Sequence, residues 1–262
     1  MNIRLIGKNL ADIAPGLASI GLAGTDAAPQ LVVAHGGDGT LLQAVRRFPE
    51  LPVWPIRDAA TAPLCGRHRY DRQLAAFQAG LTPLHILPLL SGSFEAREVR
   101  ALNDIFIHNR ERVSALRYRV WIDDELYANE IVGDGVGLAT VHGSTAYYRS
   151  ITHSLFRVGI GLAFSNSTEE VNHLVLPDTV QVRIQIIRGP GCMVADNSPD
   201  IIEIPEGGEV VIRRSPATAL IYGINDFMCP ECRLLRHPNK YPVQYFTMYA
   251  QAHPETRKDT HE

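Results

Sequence analysis

The sequence predicts an α/β plus β protein: an N-terminal Rossmann-like α/β domain followed by a mostly antiparallel β domain. Three observations carry that reading. Residues 31–48, LVVAHGGDGTLLQAVRRF, read as a buried strand, a glycine-rich turn and a helix. Apolar extended runs alternate with helical patterns up to about residue 95, as in a parallel sheet. Beyond that point the hydrophobic period becomes two, the mark of antiparallel strands with one wet face.

In chain order, residues 3–6 and 31–34 are apolar runs suited to covered strands, and residues 53–56 form a third between prolines. Leu41, Leu42, Ala44, Val45 and Phe48 recur at helical spacing, with Arg46 and Arg47 toward water. Leu74, Ala75 and Phe77, beside Arg72 and Gln73, predict a short helix, and residues 84–89 return to extended chain. Val180, Val182, Ile184 and Ile186 alternate with Gln181, Arg183 and Gln185. Ile201, Ile202 and Ile204 lead through Pro205, Glu206, Gly207 and Gly208 into Val210, Val211 and Ile212, which predicts a hairpin. The expected domains are residues 1–95 and 96–239, with a polar tail, 240–262, that packs back on the first domain or frays.

Composition narrows the classes. The chain has 262 residues, 45% hydrophobic and 20% charged, enough for two modest cores. A formal net charge of -3 argues against nucleic-acid coating, which needs clustered positive charge. The opening MNIRLIGKNL lacks a signal-peptide core, and no apolar run is long enough to span a bilayer. Four cysteines without framework spacing suit a reducing compartment. The expectation is a soluble cytoplasmic protein without nucleic-acid or membrane partners.

Gly36, Gly37 and Gly39 surround Asp38 where a strand feeds a helix, and Thr40 is placed to cap that helix. Such a turn is a natural phosphate site, because backbone amides converge there and the helix dipole favours negative charge. A carboxylate in it repels bare phosphate, so Asp38 reads as a base or as a group acting through a cation. Three later segments follow in order: Asn103-Asp104 in ALNDIFIH, Asp134 between Gly133 and Gly135, and TVHGSTAY at 140–147. Together with GGDGT they resemble the NAD kinase family, which phosphorylates the 2′-hydroxyl of NAD's adenosine ribose to give NADP. The resemblance runs from about residue 3 to residue 212.

The resemblance implies roles residue by residue. Asp38 takes the general-base position, and Gly36, Gly37, Gly39 and Thr40 meet the phosphate donor, ATP or polyphosphate. Asn103 and Asp104 match the family's adenosine-holding Asn-Glu pair, one methylene shorter. Asp134 is expected near the nicotinamide half, Thr145, Ala146 and Tyr147 line the adenine and ribose pocket, and Ser150 follows in pattern. The resemblance further implies magnesium or another divalent cation, and homodimers or homotetramers with sites near subunit contacts. Under it, residues 1–95 are the phosphate-donor domain and 96–239 the NAD-binding domain. The chemistry is consistent with this: a ribose hydroxyl needs a base, and phosphoryl transfer needs positioning and charge neutralisation.

Some segments depart from the family. PIRDAATAPLCG, residues 55–66, stands where the family carries a Gly-Asn-rich stretch and an LGF signature. Val141-His142 replaces proline-threonine before GST, and Asp196-Asn197-Ser198 replaces DGQ. Either the pocket holds NAD differently, or the acceptor is another nucleoside- or polyol-type hydroxyl. A sensor that kept the fold and lost turnover is the reading from another class; retention of Asp38 argues against it.

Other residues have two readings each. Cys229 and Cys232, in CPEC, suggest half a zinc site that Cys192 or a histidine such as His237 would have to complete; the default is reduced thiols. His35 reads as a polar strand-end residue or a phosphate helper, and His142 as a ligand contact or a loop residue. Arg110, Arg112, Arg117 and Arg119 read as the wet face of a strand pair, and Trp54 and Trp121 as core or domain-seam residues.

Overall fold

The computed structural model describes residues 1–24, 28–111 and 113–236. Arg112, His237 and the 240–262 tail lie outside them. The described residues divide into two compact units, one within residues 1–37, 54–83 and 222–236, the other within residues 38–53 and 84–221.

The first unit is built on a sheet whose strands run in the order Ala23–Gly24, Asn2–Gly7, Leu31–His35, Val53–Ile56. Asn2–Gly7 pairs in parallel with Leu31–His35, from Ile3 opposite Leu31 to Gly7 opposite His35. All five residues of Leu31–His35 are buried, as their unbroken apolar run requires of a strand covered on both faces. Helix Tyr70–Gln78 lays Leu74 and Phe77 on this sheet, where the Phe77 ring stacks on Trp54 with centroids 4.0 Å apart. Trp54 is thus a core residue. His35 is fully buried and satisfied: Nδ1 lies 2.6 Å from the Lys8 carbonyl, and Nε2 lies 2.8 Å from the Tyr70 hydroxyl. It is a structural strand-end residue.

The second unit holds antiparallel strands in two layers. One runs Glu209–Tyr222, Gln181–Arg188, Leu116–Ile122, Glu125–Gly133, with Leu84–Phe94 and Arg97–Ala101 alongside. The other runs His173–Leu176, Ile160–Ser165, Gly135–Ala139, Asp104–Asn109, Gly191–Ala195, Ile202–Ile204. Val182, Ile184 and Ile186 from one layer and Ile105, Ile107 and Leu138 from the other join a single core. The wet face of the first layer carries Arg117, paired with Glu130 at 3.0 Å, and Arg119. Trp121 is on that face too, half-buried beneath Arg183, whose guanidinium lies 3.8 Å from the ring centroid. Arg110 pairs with Glu203.

The expected hairpin near residue 206 is a corner between layers. Ile202–Ile204 pairs with Gly191–Ala195, whereas Glu209–Tyr222 pairs with Gln181–Arg188. Besides its own Gly208 N–H to Pro205 O bond, the turn is tied to another strand: Gly207 N–H donates to Ile186 O, and Ile186 N–H donates to Gly208 O. Gly207 sits at φ +79, open to glycine, and a Cβ on Gly208 would lie 2.8 Å from Ile204. No helix among the described residues is long and apolar enough to cross a membrane.

Candidate functional site

Gly36 and Gly37 follow strand Leu31–His35, and Gly36 N–H donates to Ile56 O at 2.9 Å. Helix Asp38–Arg47 starts at the aspartate itself, so Gly39 and Thr40 lie inside its first turn and Thr40 is not the cap. The helix buries Leu41, Leu42, Ala44 and Val45, leaving Asp38 exposed at the positive end of the dipole.

Asp196 and Asn197 tie this helix to the Asn103 segment. Asn197 Nδ2 donates to Gly39 O at 3.1 Å, and its Oδ1 accepts from Arg46 Nη1 at 3.0 Å. The Asp196 carboxylate accepts from the backbone amides of Leu102, Asn103 and Asp104, at 2.8, 2.7 and 3.2 Å. Asp196 holds a left-handed backbone, φ 51, to do so.

The GST turn packs on the same segment. Asn103 O accepts from Thr140 N–H at 2.8 Å. Thr140 Oγ1 donates to Leu102 O at 2.6 Å and accepts from Gly143 N–H at 3.0 Å. A Cβ on Gly143 would sit 2.0 Å from Asn103 O, so only glycine permits this approach. Burial lowers the pKa of His142, while the charge of Asp38 acts to raise it, which places that carboxylate within electrostatic reach of the imidazole. The contacts therefore run from Gly39 through Asn197 and Asp196 to Asn103 and on to Gly143, and the Asp38 charge is felt at His142 beside that turn.

Two groups near these contacts keep bonding capacity. Among the described residues the buried Asn103 Oδ1 has no hydrogen-bond partner, a costly state for an amide oxygen unless a ligand N–H completes it. Tyr147 is 39% exposed, its ring edge-to-face with Phe106 at 4.9 Å and tilted on His108 at 5.4 Å. It is a supported aromatic with area left to offer.

The remaining expected residues are placed more loosely. Thr145 and Ala146 continue the turn, with Ala146 N–H donating to Gly143 O at 2.8 Å. Asp134 is exposed and takes a 2.9 Å bond from Asn166 Nδ2; the next residue, Gly135, pairs with His108, beside Tyr147. Ser150 turns its hydroxyl onto Tyr147 O at 2.7 Å. A cavity of 270 Å³ is lined by Arg46, Arg100, Leu102 and Asp196, and one of 610 Å³ by Thr140, Val141, Arg157 and Arg214; neither is lined by Asp38, Asn103 or Tyr147. Sequence reasoning missed Phe106, His108, Arg46 and the bridging roles of Asp196 and Asn197. The alternation of Phe106 and His108 on one strand face was the available signal.

Asp104 is buried, and desolvation with the nearby Asp196 charge pushes its carboxyl up to about 7. Burial raises Asp196 as well, opposed by its three amides and Arg46; those donors make Asp196 the ionised member and Asp104 the protonated one. Between about pH 4 and 7 the folded state then holds a proton that the unfolded state has lost. Asp104 therefore favours folding progressively less as pH rises through that window. Asp104→Asn should flatten this slope, so the variant's melting temperature gains on the parent's as pH rises from 5 to about 8. Parallel melting curves for the two proteins across that range would show that Asp104 ionises freely.

In sequence and in fold the chain is similar to proteins named NAD kinase. It is 29% identical to the NAD kinase of Brucella melitensis over 200 residues, covering 71% of this chain and 76% of the relative. It is 28% identical to that of Acidithiobacillus ferrooxidans over 234 residues, covering 82% and 78%. Among solved structures it superposes on an Archaeoglobus fulgidus NAD kinase in complex with ATP, with TM-score 0.71, 18% identity and coverage of 89% and 99%. A yeast NADH kinase complexed with NADH gives TM-score 0.75, 18% identity and coverage of 93% and 89%. No protein-family model matches the chain. The expected α/β plus β fold and the likeness to NAD kinases are thus both found.

Proposed function

We propose that this chain is a phosphotransferase that moves the terminal phosphoryl group of ATP to the 2′-hydroxyl of NAD, giving NADP. The chain of contacts from the Asp38 helix through Asn197 and Asp196 to Asn103 carries the reading. It ties the helix that bears a base candidate to the segment that bears an amide oxygen without a partner among the described residues, and Tyr147 adds an open aromatic face. Adenine offers an N–H donor for Asn103 Oδ1 and a π-face for Tyr147. Asp38 removes the ribose proton as the oxygen attacks the phosphorus. Gly36, Gly37, Gly39 and Thr40 receive the donor phosphates, and Asp134, Thr145, Ala146 and Ser150 line the acceptor side. Magnesium keeps several of its own waters and takes one or two carboxylates, so an ion carried on the donor phosphates suits a turn with the single exposed Asp38. We further read the chain as a cytoplasmic homodimer or homotetramer, as the motif resemblance implies.

A second reading, a different nucleoside acceptor, is favoured by residues 55–66. There Asp58 is fully buried, accepting from Asn9 Nδ2 at 2.9 Å and from Ala60 N–H at 3.0 Å. This is a built loop of its own, where the family has another sequence.

An acceptor screen with ATP, with and without magnesium, tests both readings by product mass. NAD, NADH or another adenosine compound should be phosphorylated, and excess chelator should stop the reaction. Product from sugars or polyols alone would overturn the acceptor assignment. In the same assay Asn103→Ala should raise the acceptor KM about 10-fold or more, by the ~1–3 kcal/mol of a lost buried hydrogen bond, and leave ATP binding near parental. A selective loss of ATP affinity would reverse the two pockets.

A further inference from the structure

Residues 65–68 and 229–232 come together within the first unit. Cys65, His68, Cys229 and Cys232 each offer one ligand atom, and these atoms lie within 4.8 Å of one another. The three cysteines are buried, at 8%, 2% and 1% exposure, and among the described residues their cluster has Leu64 as its partly buried apolar neighbour.

The geometry suits a tetrahedral ion. Cys65 Sγ and Cys232 Sγ lie 3.2 and 3.5 Å from His68 Nδ1. Tetrahedral zinc, with bonds of about 2.3 Å to sulfur and about 2.05 Å to nitrogen, requires sulfur–nitrogen edges of about 3.6 Å. The surroundings are those of a metal site as well. Cys65 N–H points at Cys232 Sγ from 3.3 Å, a donor that stabilises a thiolate. His68 Nε2 lies 3.3 Å from Asp226 Oδ1, which fixes the tautomer and turns Nδ1 toward the sulfurs. Arg67 and Glu231, each beside a ligand, close the outside with an ion pair at 2.6 Å.

We propose that Cys65, His68, Cys229 and Cys232 form a structural zinc site that fastens the 55–66 loop to helices Ile224–Phe227 and Pro230–Arg236. Three sulfurs and one imidazole are one of structural zinc's ligand sets, and four protein ligands leave no open position for catalysis. The donors come as Cys-x2-His and Cys-x2-Cys pairs 164 positions apart between His68 and Cys232. The ion therefore cross-links segments that are distant along the chain. Cys192, one of the partners considered from sequence, lies in strand Gly191–Ala195 of the second unit, and His237 lies outside the described residues.

The test uses the full-length chain without a polyhistidine tag, grown with zinc and analysed for metal by mass spectrometry. One zinc per chain is expected, released when an organomercurial titrates the thiols. The cobalt-exchanged protein should show thiolate-to-cobalt charge transfer and tetrahedral ligand-field bands. The Cys229→Ser/Cys232→Ser double variant should lose the metal and melt lower, whereas Cys192→Ser should keep it. If the double variant does not fold, the parent's metal content and cobalt spectrum still decide. Zinc-free parent protein with four titratable thiols, or a disulfide among Cys65, Cys229 and Cys232, would overturn the proposal.

Discussion

Asp38→Asn is expected to slow phosphoryl transfer by a factor of about 10² to 10⁴ while leaving the fold in place. Asp38 is exposed in the first turn of its helix and contributes no core packing. The structural cost is then loss of a charge favoured by the helix dipole, typically ~0.3–1 kcal/mol. The catalytic cost is larger, because a neutral amide cannot accept the ribose proton. His142 supplies an independent readout. The Asp38 charge acts to raise its pKa, so in the variant His142 should titrate at lower pH, followed by NMR. Near-parental turnover in Asp38→Asn would show that the proton goes elsewhere. An unmoved His142 would show that the two side chains do not sense each other.

How much of this was legible in the sequence depended on how far each interaction reaches along the chain. Strand Leu31–His35 and helix Asp38–Arg47 announce themselves through a local apolar run and a local helical stripe, and both form. Thr40 was read one turn out of place because the glycines beside it suggested a longer loop; Gly39 has instead joined the helix. The corner at Gly207 was misread for a related reason. Its local pattern is that of a hairpin, and what redirects it is Ile186, on another strand. Asp196 looked like a departure from a family motif, yet it caps the amides of Leu102, Asn103 and Asp104 from more than 90 positions away. The same distance hid Cys65 and His68 from the visible Cys229–Cys232 pair. Pattern reading sees neighbours within a turn or a strand, whereas these sites are assembled by sheet topology.

Gly143→Ala should disable the acceptor side more than any surface substitution of equal size. The added methyl would lie 2.0 Å from Asn103 O, 2.5 Å from its carbonyl carbon and 2.6 Å from its Cα. All three obstacles are backbone, so no rotamer change relieves them, and the turn must lift off the Asn103 segment. That movement strains the Gly143 N–H to Thr140 Oγ1 bond and the Thr140 bonds to Leu102 O and Asn103 O. Overpacking of this kind costs ~1–3 kcal/mol, a fall of roughly 2–12 °C in melting temperature for a chain of this size. Function should suffer further, because Asn103 Oδ1, Tyr147 and His142 are positioned through this turn, and small displacements of a binding group are expensive in rate. NAD should bind weakly and turn over slowly, while ATP binding stays closer to parental. Gly24→Ala is the control: its Cβ would meet nothing within 4 Å among the described residues. If Gly143→Ala matches that control in melting temperature and in NAD KM, the turn does not brace the acceptor segment.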